Sequence, residues 1–149
     1  MGAGNTLTER SLRTHKSIAT SKIDVSGMAD GQISGLCHFS ASHSLIGIRQ
    51  ENGKRHIEVQ VNGKTFKNND LKSNEIWLRS TWEQDGKSVY SYSTNGTDFF
   101  PFGEPYQLMW GNYRGDRIGI FTYNDKGEYG YADFDYLRYD YKSIAPTIY

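Results

Sequence analysis

The chain has 149 residues, enough for one domain and short for two, and its 17 basic and 17 acidic side chains cancel to a formal charge of zero. Balanced charge without a basic run argues against nucleic acid or an anionic membrane as the main partner, and no apolar stretch approaches the length of a membrane span. The one cysteine, Cys37, excludes an internal disulfide framework and a cysteine-based zinc site.

In chain order, Met1-Gly2-Ala3-Gly4 lacks a hydrophobic signal core and reads as a linker-like start, so the chain is expected to be a piece of a longer protein. Residues 5–141 read as one domain and 142–149 as a tail. Hydrophobicity repeats every two residues almost throughout, which predicts strands over 6–10, 16–24, 32–40, 43–50, 55–61, 75–83, 88–93, 117–123 and 128–139. Asn52-Gly53, Asn62-Gly63, Asp85-Gly86 and Asn95-Gly96 punctuate them, because Asn and Gly tolerate the positive φ of tight hairpin turns. Residues 124–127 supply a loop between the last two strands. No helix and no internal repeat is evident. The expected architecture is an all-β, two-sheet antiparallel sandwich.

Alternation assigns faces. Ile46, Ile48, Ile57, Val59, Val61, Ile76, Leu78, Ile118 and Ile120 should face the core, with Glu58 and Gln60 outward. Trp77 and Arg79 then lie opposite Ile76 and Leu78, and Arg117, Phe121 and Tyr123 lie opposite Ile118 and Ile120. On the last strand Ala132, Phe134 and Tyr136 should share one face, and Asp133, Asp135, Leu137 and Tyr139 the other.

Aromatics make up 14% of the chain, with 11 Tyr, 3 Trp and 7 Phe. Tyr and Trp combine a flat apolar face with a polar edge, which suits a half-wet binding surface as well as a β core. In residues 108–115, Gly111 and Gly115 leave room around Trp110 and Tyr113, with Arg114 adjacent. That arrangement can stack on sugar rings while Arg bonds hydroxyls, or Trp110 can plug one end of the sandwich. A sugar surface is accordingly expected from Trp77, Arg79, Trp110, Tyr113, Arg114, Phe121 and Tyr123, in two subsets that need not be continuous.

Asp133 and Asp135 stand about 7 Å apart on one strand, a spacing compatible with an inverting glycosidase pair. Neighbours on one strand do not flank a bond held between cleft walls, so catalysis is not expected from them. Asp135 with Asp24 is the candidate for a structural calcium site built with loop oxygens. His38 and His43 flank a short turn but lack a third metal ligand. Asn95-Gly96-Thr97 matches a glycosylation acceptor, yet the Asn-Gly pair is what a hairpin needs there.

The segment Asn5-Thr6-Leu7-Thr8-Glu9-Arg10 resembles the entry strand of the C-terminal β-sandwich of family 43 glycoside hydrolases, the β-xylosidases and α-L-arabinofuranosidases. Asp24-Val25-Ser26-Gly27-Met28-Ala29-Asp30-Gly31 with Gly35-Leu36 resembles the second motif of that domain. Ser91-Tyr92-Ser93-Thr94-Asn95-Gly96-Thr97 resembles its Y-S-x-D-G hairpin, with Asn95 in place of Asp. Residues 110–121 and Ala132-Asp133-Phe134-Asp135-Tyr136-Leu137-Arg138-Tyr139 complete a likeness that runs nearly end to end. The resemblance implies a concanavalin A-like jelly roll that is a non-catalytic accessory module, because the family's catalytic carboxylates sit in a separate β-propeller, which this chain is too short to contain. The expected partners are a plant cell-wall polysaccharide such as xylan or arabinoxylan and the catalytic propeller of the parent chain, with an extracellular or periplasmic setting. The alternatives are a domain that packs on the propeller without binding sugar alone, and an independent small hydrolase.

Overall fold

A computed structural model describes residues 5–10, 16–39, 42–83, 85–108, 117–124, 130 and 132–142. These residues form twelve strands and no helix: β1 (Asn5–Arg10), β2 (Lys16–Asp24), β3 (Gln32–Phe39), β4 (His43–Glu51), β5 (Lys54–Val61), β6 (Lys64–Leu71), β7 (Glu75–Glu83), β8 (Lys87–Ser93), β9 (Phe100–Pro101), β10 (Tyr106–Gln107), β11 (Arg117–Asn124) and β12 (Asp133–Lys142). One antiparallel sheet runs β1-β11-β3-β4-β5-β6. The second runs β10-β8-β7-β2-β12, with β9 also pairing with β8.

The turns form where Asn and Gly permit them. Asn52 and Gly53 adopt φ of 52° and 74° between β4 and β5, and Asn62 and Gly63 adopt 54° and 76° between β5 and β6. Both left-handed positions match the twist of the strands they join. The strand β6, K-T-F-K-N-N-D-L, was not foreseen from alternation. It is the edge of the first sheet, where Lys64 and Lys67 are the kind of charge that discourages pairing with another chain. The two-residue strands β9 and β10 were too short to carry a period.

Between the sheets lies an apolar core. Ile46, Ile48, Ile57, Val59, Val61, Ile76, Leu78 and Ile118 are buried in it, and Ile120 packs against it, as alternation required. The core also contains polar bridges from sheet to sheet. His38 Nε2 on β3 lies 2.6 Å from Ser80 Oγ on β7, and Ser80 in turn lies 2.7 Å from Ser88 Oγ. Ser44 Oγ on β4 meets the Tyr90 hydroxyl on β8 at 2.6 Å. Such buried groups are tolerated because each finds a partner, and the required pairings fix how the sheets face each other.

The outer face of the first sheet departs from expectation. Glu58, assigned outward, is only 2% exposed, and Phe121 is equally buried among Ile33, Cys37 and Leu45. Glu58 is outward of the core but shielded by its partners: Arg49 Nε donates to its Oε1 at 3.1 Å, Arg49 Nη2 to its Oε2 at 3.2 Å, and Gln60 Nε2 to its Oε2 at 2.7 Å. His56 Nε2 lies 3.2 Å from Oε1. Burial pushes the Glu58 carboxyl up, but these partners outweigh it and hold its pKa below the usual carboxylate value. Phe121 lies close over paired glycines. A Cβ on Gly35 would fall 2.2 Å from the Ile46 carbonyl oxygen, and one on Gly47 would meet Phe121 at 3.4 Å.

The last strand corrects the alternation across Asp135. Phe134 pairs with Ile23, but Tyr136 pairs with the adjacent Lys22, so Asp135 is one extra residue, a β-bulge. The insertion reverses parity. Phe134, Leu137 and Tyr139 therefore share the core side, whereas Tyr136 faces outward and is 39% exposed.

Candidate functional site

The bulge composes the outward face of the second sheet. The register places Tyr136, Lys22, Trp77 and Ser93 in one cross-strand row, and Arg138, Thr20, Arg79 and Ser91 in the next. Across a pleated surface such side chains touch their neighbours within a row. Together with Gly96, Phe99 and Asp140, five of these groups (Thr20, Trp77, Arg79, Tyr136 and Arg138) enclose an open groove of about 270 Å³.

The loop after β8 forms one wall of this groove. Asn95 Oδ1 accepts from the amides of Thr97 and Asp98, each at 2.8 Å, and Ser93 Oγ accepts from the Gly96 amide at 2.9 Å. Gly96 has φ of 81°, and a Cβ there would come within 3.0 Å of the Trp77 indole. Glycine thus lets the turn close onto Trp77, which steadies the ring. Lys22 Nζ lies 5.3 Å from the Trp77 ring centroid. Arg79 is held flat: its Cζ sits 3.6 Å over the Phe99 ring, and its Nε donates to Thr20 Oγ1 at 3.0 Å. Arg138 Nε donates to Asp140 Oδ2 at 2.9 Å. The groove so offers aromatic rings beside oriented donors and one carboxylate, the combination that stacks on a sugar ring and bonds its hydroxyls.

Of the residues proposed from sequence, Trp77 and Arg79 meet in this groove. Phe121 is buried on the first sheet, on whose outer face Tyr123 packs against it with centroids 6.4 Å apart, so that pair belongs to a different face. Trp110, Tyr113 and Arg114 lie outside the described residues. Sequence reasoning missed Thr20, Phe99, Tyr136, Arg138 and Asp140. The spacing of apolar residues Phe134, Leu137 and Tyr139, three and then two, was the available signal of the bulge that turns Tyr136 outward.

The acidic residues are arranged as ion pairs. Lys22 Nζ lies 3.3 Å from Asp135 and 3.5 Å from Glu75, so an ammonium already supplies positive charge beside them. Asp24 Oδ1 accepts from the Ser26 amide at 2.9 Å and from its hydroxyl at 2.7 Å, which holds its carboxyl below the usual value. Among the described residues no group of three or more His, Cys, Asp or Glu side chains gathers to hold a metal ion. Asp135 thus has Lys22 as its cation, and the Asp24 carboxylate is turned to Ser26. Asp133 pairs with Asp24 across the sheet, and both Asp133 and Asp135 are exposed on one strand rather than set across a cleft. The Ser80–His38 contact resembles a nucleophile–base pair, but both residues are fully buried, out of reach of any substrate. A second hollow, of about 390 Å³, lies at the β6 side among Ile57, Asn68, Leu71 and Tyr92, and contains none of the proposed residues.

Residues 2–140 match the family described as the beta xylosidase C-terminal concanavalin A-like domain. A β-xylosidase of Formosa agariphila is 33% identical over 141 residues, 93% of this chain and 24% of that protein. The chain thus spans about a quarter of the length of this curated relative. Among solved structures, a bifunctional GH43-CE protein of Bacteroides eggerthii superposes with a TM-score of 0.83 at 26% identity, over 94% of this chain and 19% of that one. A GH43 protein of Bacillus licheniformis shares the fold, with a TM-score of 0.71 at 21% identity over 91% of this chain and 29% of that one. The chain belongs to the β-xylosidase C-terminal concanavalin A-like domain family, the non-catalytic accessory part of family 43 glycoside hydrolases.

Proposed function

We propose that this domain is a carbohydrate-binding accessory module that holds xylan or arabinoxylan-type chains for a family 43 catalytic domain in the same polypeptide. The observation that carries this reading is the groove on the second sheet, where Tyr136 and Trp77 stand beside Arg79, Arg138 and Asp140. Tyr136 provides an exposed stacking face, and Arg79 on β7 and Arg138 on β12 present donors on either side of β2. Because the groove is open, few ligand atoms are fully desolvated, and affinity in the range of roughly micromolar to millimolar is expected.

Affinity electrophoresis through gels containing soluble arabinoxylan tests it. Retardation of the wild type that Tyr136→Ala abolishes, with an unchanged melting temperature, supports the reading. Equal mobility of the wild type with and without polymer overturns it.

The second reading is a domain that docks on a catalytic propeller and binds no sugar alone. It is favoured by the match to only 24% of the β-xylosidase, whose remaining length leaves room for such a partner. Co-purification of the separately expressed catalytic part with this chain, without polysaccharide retention, is the outcome that selects it.

A further inference from the structure

Arg79 is a cation whose partners do not match its charge. Its Nε is spent on the neutral Thr20 hydroxyl and its plane on Phe99. Its two terminal amino groups have no protein partner among the described residues, although the side chain lines the groove. The nearby carboxylate, Asp140, is engaged by Arg138 at 2.9 Å. Arg79 is half-buried, and burial lowers its pKa from the ordinary value against the opposing influence of Tyr136 and Asp140. A guanidinium that has given up water without gaining a carboxylate is costly to hold, and this one is also fixed in place by two contacts. With Arg138 paired to Asp140, the groove carries one uncompensated positive charge.

A neutral hydroxyl replaces only the water that Arg79 has lost. A planar carboxylate answers its fork with two parallel charge-assisted hydrogen bonds. We propose that the groove recognises an acidic saccharide, a chain bearing uronic acid groups, with Arg79 gripping the sugar carboxylate and Tyr136 stacking on a neighbouring ring. This inference rests on the sugar-binding reading of the same groove and adds the chemical class of the ligand. A uronate occurs as a side group on a neutral backbone and as the unit of a polyuronate; the carboxylate is common to both.

The test uses the whole 149-residue chain in affinity gels containing glucuronoxylan, the same polymer after chemical reduction of its carboxyl groups, unsubstituted xylan, or polygalacturonate. The expected result is binding to glucuronoxylan about tenfold tighter than to its reduced form, equivalent to about 1.4 kcal/mol. Arg79→Gln should erase that difference, so that native and reduced glucuronoxylan retard the variant equally. Retention by polygalacturonate in addition assigns the site to polyuronates; its absence assigns the site to uronate side groups. Equal binding of the wild type to native and reduced glucuronoxylan overturns the inference while leaving the sugar reading intact. Absence of binding to all four polymers overturns both. The comparison of native with reduced polymer needs no variant, so a folding defect in Arg79→Gln would not decide the outcome.

Discussion

Glu58→Ala should destabilise this domain strongly although Glu58 lies outside the core between the sheets. The carboxylate is 2% exposed and receives two hydrogen bonds from Arg49, which is itself only 12% exposed. Removing it strands a guanidinium in a poorly hydrated place and also deprives Gln60 and His56 of their shared partner. Breaking a buried pair by deleting one member costs about 3–5 kcal/mol, and the residual exposure of Arg49 argues for the lower end, about 3 kcal/mol. In a domain of this size that corresponds to a fall of roughly 6–12 °C in melting temperature. Urea unfolding at pH 7 followed by tryptophan fluorescence measures it. Glu58→Gln keeps the volume and an acceptor and should lose less.

The pH dependence gives a second readout. The folded Glu58 carboxyl titrates below its unfolded value, so its contribution is fully present above the unfolded pKa near 4.5 and is lost as pH falls through the lowered folded value. The stability gap between wild type and Glu58→Gln should therefore narrow below about pH 4.5. A loss under about 1 kcal/mol for Glu58→Ala, or a gap independent of pH, would show that Arg49 escapes to solvent and that the pair is dispensable.

Gly35→Ala should prevent stable folding, because its Cβ would lie 2.2 Å from the Ile46 carbonyl oxygen and only the backbone of β4 could yield; a cooperative melt within a few degrees of wild type by circular dichroism would refute this. Tyr90→Phe removes a 2.6 Å hydrogen bond and leaves the buried Ser44 hydroxyl without it, so a loss of about 1–2 kcal/mol is expected by urea unfolding; no loss would mean that the bridge between the sheets is energetically idle. Because Lys22 already supplies a cation to Asp135 and Glu75, millimolar calcium should move the melting temperature by less than about 1 °C. A rise of several degrees that vanishes in Asp135→Asn would instead establish the calcium site considered for Asp24 and Asp135.

Much of the fold was legible because one face of most strands is apolar. Strands β2 and β7 run over the expected residues, since strict alternation in I-W-L-R-S-T-W leaves one register that buries Ile76, Leu78 and Trp82. The polar edge β6 carries no such alternation, because an edge strand must discourage partners as well as pair. The outer faces were harder. A period-two rule assumes an uninterrupted strand, and the single extra residue Asp135 reversed every assignment after it. It also assumes that the non-core face is wet, which fails for Phe121 and Glu58. Trp77 and Arg79 were legible as an outward pair because they precede the bulge problem on a regular strand. Tyr136, their partner in the groove, was not, because its position depends on a register that only the paired strands define.

The groove of Trp77, Arg79 and Tyr136 is proposed to bind saccharide. Titration of the isotope-labelled chain with a xylo-oligosaccharide bearing a uronic acid, followed by amide and indole resonances, tests it most directly. Saturable shifts are expected at the Trp77 indole and at the amides of Thr20, Arg79, Gly96 and Tyr136, with an unaltered Trp82 indole, since Trp82 is 1% exposed in the core. Shifts confined to other surfaces, or none at millimolar ligand, would contradict it.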